Sequence, residues 1–162
     1  MAVDYFLKLD GIEGESTDNK HAKEIDVEAW SWGESQTGSG VPGGGGGGAG
    51  KVSMQDFSFV MKFNKASPKL MLACATGKHI KSARLAVRRA GQGQQDYLTL
   101  TFLDVLVSSY QTGGAEASGL TPVDQVSLKY AKIEVEYKTQ KPDGTLIVAG
   151  QFKFDLKQNK SY

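Results

Sequence analysis

The chain has 162 residues, with 19 Lys and Arg against 18 Asp and Glu, one cysteine and two histidines. A domain of this size buries roughly 70% of its unfolded surface, so its core needs no staple, and one cysteine cannot form an internal disulfide. The net charge of +1 argues against nucleic-acid binding, which draws on a basic excess, and no stretch approaches the roughly 18 apolar residues of a membrane span.

Val3, Tyr5, Leu7 and Leu9 alternate with Asp4 and Lys8, the period of a half-buried strand, with Phe6 interrupting the polar side. Residues 11–19 are a turn region rich in Gly, Ser, Asp and Asn. Ile25, Val27 and Ala29 then alternate with Glu24, Asp26 and Glu28. This predicts a strand that runs into Trp30-Ser31-Trp32 and places both tryptophans on the Glu28 face. A glycine-rich loop follows over about 36–50, with six consecutive glycines from Gly43 to Gly48. Val52 follows Gly50-Lys51, so the Ser or Thr of a phosphate loop is missing. Ordering those glycines costs on the order of 3–6 kcal/mol relative to alanine. The segment therefore reads either as a mobile surface loop or as one that orders against a neighbouring subunit.

Residues 52–63 predict a strand with Phe57, Phe59, Met61 and Phe63 on one face. A short helix follows, with Ser67 as N-cap, Pro68 at its first position and Gly77 closing it. Leu85 and Val87 alternate with Arg84 and Arg88, the expected solvated face of a further strand, and residues 91–95 turn the chain. Tyr97 to Tyr110 forms a long strand whose apolar phase shifts near Leu103-Asp104, which calls for a bulge. Residues 112–122 read as a second flexible loop. Val126 to Tyr137 predicts one long strand with the same kind of shift, and Lys141-Pro142-Asp143-Gly144 is a turn leading to a last strand over 146–156. The fold class is mainly β: an antiparallel β-barrel of two packed sheets with one short lateral helix, a single domain over 1–162.

The residues offer no catalytic constellation and no cofactor or metal site. His21 and His79 lie in no ligand motif, Cys74 falls on the apolar side of the helix, and Glu24, Asp26 and Glu28 share a face as solvated carboxylates commonly do.

Several blocks in one linear order carry a resemblance: AVDYFLKLDGIEGES (2–16), HAKEIDVEAWSWGESQ (21–36), GAGKVSMQDFSF (48–59), SPKLMLACATGKHI (67–80), YLTLTFLDVLVSSYQTGG (97–114) and VSLKYAKIEVEY (126–137). Together they resemble the Hcp (haemolysin-coregulated protein) family of type VI secretion tube proteins. The resemblance implies a structural, non-enzymatic subunit of a homo-hexameric ring. Such rings stack into a tube capped by a spike protein and enclosed by a contractile sheath, and some hold small effectors in the lumen. It implies no membrane insertion, no nucleic-acid partner and no cofactor. The protein is then expected in the cytoplasm before firing and outside the cell afterwards, without a signal peptide. For ring stacking the candidates are Gln36, Ser39, Val41, Pro42, Gly43, Gly48 and Lys51, and for a lumen contact Ser31. The competing readings are a monomeric β-barrel binding a ligand or peptide, a hydrolase disfavoured by the scarcity of histidine, and a ring that serves as an effector chaperone.

Overall fold

In a computed structural model, the described residues are 3–36, 51–89, 94–118 and 121–162. Their elements follow the order β1 (Val3–Leu9), β2 (Ile25–Val27), β3 (Ala29–Ser31), β4 (Glu34–Gln36), β5 (Val52–Met54), β6 (Phe57–Lys62), α1 (Ser67–Thr76), β7 (His79–Arg89) and β8 (Asp96–Gly113). A 3-10 turn (Glu116–Ser118) leads to β9 (Val123–Lys129), β10 (Lys132–Gln140), β11 (Leu146–Asp155) and β12 (Lys160–Ser161).

The eighteen-residue β8 organises the molecule. Its first half pairs with β10 on one edge, its second half pairs with β9 on that same edge, and β7 flanks it on the other. One antiparallel sheet therefore runs β12-β11-β10-β8-β7-β1-β2, and a second runs β8-β9-β6-β3. The apolar phase change expected near Leu103-Asp104 is present, but not the expected bulge: β7 and β8 keep one register from His79↔Leu106 to Val87↔Leu98 and shift only at Val87/Arg88. Asp104 takes the left-handed conformation with φ 55°, and burial switches from Leu100 and Phe102 to Val105 and Val107 across it. Asp tolerates this conformation better than most residues, and its carboxylate is held by His79 Nδ1 at 2.8 Å and Lys157 Nζ at 3.2 Å. The phase change lets one strand present a core face to both sheets.

The single strand expected over Val126–Tyr137 is instead two, β9 and β10, broken at Tyr130-Ala131. There the neighbour edge of β8 passes from one sheet to the other, and Ala131 N–H donates to Leu103 O at 2.9 Å to bridge the break. Residues 52–63 likewise divide into β5 and β6, and Phe63 at the end is exposed rather than part of the buried face of Phe57, Phe59 and Met61. The expected barrel is open: among the described residues β2 pairs only with β1, while β3 pairs with β6. The chain crosses between sheets at Glu28-Ala29, where both side chains are exposed. That double step returns Trp30 to the core side, against Tyr5 and Phe57, and so removes the tryptophans from the Glu28 face.

Between the sheets lie Leu7, Ile25, Phe57, Phe59, Met61, Leu85, Phe102, Leu128 and Ile133, all essentially inaccessible. Each contributes about 1.5–3 kcal/mol by leaving water. Helix α1 lays Leu70 and Ala73 on this core and ends at Gly77, which is left-handed at φ 66°. Ser67 is not its cap. The N-cap is Ala66, whose N–H donates to Asn64 Oδ1 at 2.8 Å. The fully buried Ser67 hydroxyl instead donates to Asp124 Oδ2 at 2.6 Å, tying the helix to β9. Part of the second loop is ordered as the end of β8 and the 3-10 turn, and β12 adds two residues beyond the last expected strand.

Candidate functional site

Alternation puts Ser58 between buried Phe57 and Phe59, and Ser127 between buried Val126 and Leu128, so both hydroxyls face away from the core. Register then aligns Ser31 of β3 with Ser58 of β6, Ser58 with Ser127 of β9, and Ser127 with Ser109 of β8. Four serines cross four strands in one row, and the Ser58 and Ser127 hydroxyls are 2.9 Å apart. The neighbouring row is Ala29, Val60, Gln125 and Gln111. These residues floor a shallow cavity of about 390 Å³ with no charged side chain in its lining. The surface can accept and donate hydrogen bonds but offers no ion to pair with.

The outer face of the first sheet differs. Its cross-strand row reads Lys8, Arg84, Thr101, Glu134 and Lys153, mixed in sign. Further along, Arg88 is buried, not solvated as its alternation with Val87 predicts. Arg88 keeps the same face as Arg84 and Lys8, in phase through Asp4↔Arg88 and Lys8↔Arg84, but the turn carrying Asp18 and His21 covers it there. It spans Asp18 and Asp4 and lies 4.8 Å over the Phe6 ring. The Arg88 guanidinium holds the Asp18 carboxyl well below the usual carboxylate range. Phe6 is stacked from its other contact by buried His21, whose ring nitrogens each meet a carboxylate at 2.9 Å, Glu24 and Asp96. Nearby Asp26 is pushed the other way, above its ordinary value, by burial and then by the charges of Asp4 and Asp18.

Of the sequence candidates, Ser31 is exposed at the end of the serine row. Gln36 and Lys51 are exposed at the ends of β4 and β5, whose pairing of Gln36 with Val52 makes them the mouth of a hairpin stem. Gln55 N–H donates to Gly33 O at 2.9 Å, continuing this stem into the β3–β6 pair. Ser39, Val41, Pro42, Gly43 and Gly48 lie outside the described residues. His79 is spent on Asp104, and Cys74 is half-buried against the core. Sequence reasoning missed Ser58, Ser109 and Ser127; the alternation of Ser58 and Ser127 with apolar neighbours was visible, but the alignment of the three is a property of strand register. Among the described residues no three His, Cys, Asp or Glu side chains group as metal ligands do.

A family model described as "Type VI secretion system effector, Hcp" matches residues 6–137. The chain belongs to the Hcp family. It is therefore related to the secreted tube and effector proteins of the type VI secretion system. It is 54% identical to the Hcp1 protein of Pseudomonas aeruginosa over 145 residues, 89% of this chain and 88% of that protein. Among solved structures, it is similar to Hcp1 from Salmonella typhimurium, with a TM-score of 0.81, 36% identity and full coverage of both chains. A type six secretion system protein superposes with a TM-score of 0.91 at 30% identity, covering 99% of this chain and 100% of the other. The open two-sheet fold with a flanking helix is thus that of Hcp structures.

Proposed function

We propose that this Hcp chain is a non-catalytic subunit of a six-membered ring, that the rings stack into the type VI secretion tube, and that the serine and glutamine face lines the lumen. The observation that carries the reading is the uncharged row Ser31, Ser58, Ser127 and Ser109, set opposite a first sheet whose outer face carries mixed charge. A conduit has to let cargo slide as well as bind. Hydroxyls and amides contribute modest net energies of about 0.5–1.5 kcal/mol per hydrogen bond, without the pairing and release costs of buried ions. Small effectors are the expected cargo, and the same ring serves them as a chaperone before export. The ring assembles in the cytoplasm, and a spike protein and contractile sheath are its partners in firing.

The segment joining Gln36 to Lys51 is our candidate for contact between stacked rings, because an inter-ring contact can offset the ordering cost of six glycines.

Light scattering with negative-stain imaging tests the ring. The expected result is a mass of six chains and open annuli; a monomer at every concentration overturns the reading. Placement of the lumen is tested by Ser127→Cys in a Cys74→Ser background. Small maleimides should label the assembled ring fully and bulky polymer-linked ones poorly, with both labelling the dissociated chain. Equal labelling of the ring by both places this face outside.

A further inference from the structure

Strands β10 and β11 outrun the sheet they belong to. The last rung shared with β8 is Tyr137 with Leu98, yet β10 and β11 continue as Lys138–Val148, Thr139–Ile147 and Gln140–Leu146 before turning at Pro142 to Gly144. Three further rungs and a turn carry this two-stranded arm on the order of 10 Å past the core. It is apolar where an isolated arm should be polar: Tyr137 is 42% exposed, Ile147 43% and Val148 50%, the largest such grouping on one hairpin among the described residues. Tyr137 and Ile147 share one face of the arm, and Val148 shares the other with Lys138. Lys141 sits exposed at the turn, while Asp143 is occupied by Thr145, whose N–H and hydroxyl both donate to its carboxylate. A two-stranded ribbon is marginal in water without something to cover it.

At the other end of the same sheet, β2 borders a cleft of about 490 Å³. Asp26, Glu28 and Glu15 line it against a single cation, Lys62, with Val27 and the exposed ring of Phe63 as its apolar wall. The one ion pair there, Lys62 with Glu28, is loose at 3.9 Å between exposed groups. Asp26 makes no ion pair among the described residues, and Asp4 and Asp18 are its charged neighbours. An apolar arm, carrying Lys138 in a loose pair with Glu136 at 3.6 Å and the exposed Lys141 beside Asp143 at its turn, and a cleft with excess carboxylate thus stand at opposite edges of one sheet. That is the disposition a head-to-tail contact requires, since a heterologous interface joins two different patches and closes into a ring by repetition.

We propose that the β10–β11 arm of one copy seats in the Asp26–Glu28 cleft of the next, with Lys138 and Lys141 facing the carboxylates and Tyr137 and Ile147 facing Val27 and Phe63. This assignment rests on the ring reading above and names the contact that builds it.

Two variants block one patch each: Ile147→Lys with Val148→Glu for the arm, and Asp26→Lys with Glu28→Lys for the cleft. All four side chains are exposed, and melting curves of each variant verify the fold. Each variant alone should have the mass of a single chain. Mixed in equal amounts they should form a species of two chains and nothing larger, because one intact arm then meets one intact cleft. That outcome cannot come from misfolding. If the parent protein forms rings and either variant still does so, or the mixture stays monomeric, the arm–cleft contact is overturned while the tube reading stands. A parent chain that is monomeric throughout overturns both.

Discussion

Arg88 and Asp18, seventy positions apart in the chain, form a two-pronged ion pair: Nη1 donates to Oδ1 at 2.9 Å and Nη2 to Oδ2 at 2.7 Å. The same Asp18 carboxylate accepts from the Lys20 and His21 backbone N–H groups, so one side chain shapes its own turn and anchors it to β7. Bidentate geometry of this kind is the strong form of such pairs.

Pairing holds Asp18 well below the unfolded value of about 3.9, so the stability it contributes is complete above that value and is lost as the pH falls below about 4. Asp104 and Asp143 are lowered as well, by His79 and Thr145 respectively, and steepen the same acid limb. Asp18→Asn should lower the melting temperature at neutral pH by several degrees and flatten the fall between pH 5 and 2. Melting curves across that range check it; parallel curves for the parent and the variant would falsify the role given to Asp18.

Asp26 works in the opposite sense. Its carboxyl is raised in the folded chain, so its charged form disfavours folding, and stability rises as the pH drops through the folded value. Asp26→Asn should therefore melt higher than the parent at neutral pH when both are monomeric. If the arm contact is as proposed, the same variant should assemble less well. A variant that melts lower would remove the like-charge account of this cluster.

Ser67 and Asp124 are both fully buried and joined at 2.6 Å. Ser67→Ala leaves that carboxylate without its hydroxyl donor and should cost about 1–3 kcal/mol in urea unfolding. The loss should largely vanish in an Asp124→Leu background. A cost that persists there assigns the loss to the other bond of this hydroxyl, which accepts from the Asn64 backbone N–H at 3.0 Å.

Deleting Gly43 to Gly48 should leave the mass of single rings unchanged and weaken their stacking, read as a shift from long to short species in sedimentation. Tubes of undiminished length would separate this segment from ring stacking.

Much of this protein was legible in its sequence because much of it is locally dictated. Alternation in Val3 to Leu9, the Pro68 and Gly77 signals around the helix, the Pro142–Gly144 turn and the phase shift at Asp104 each reflect backbone geometry acting over a few residues, and each has its counterpart in the fold. The six sequence blocks in order were enough for the Hcp resemblance, and the family match over residues 6–137 agrees. What needed the tertiary structure was the identity of each strand's neighbours. The change of partner at Glu28-Ala29 decided where the tryptophans point, and the break at Tyr130-Ala131 divided one apparent strand into two. The turn around Asp18 folds over the outer face and buries Arg88, a charge that local alternation assigns to solvent. Ser31, Ser58, Ser127 and Ser109 become one row only through three registers, one of which joins residues as far apart in the chain as Ser58 and Ser127. Register is set by which hydrophobic faces meet across the core, and no local pattern encodes that meeting.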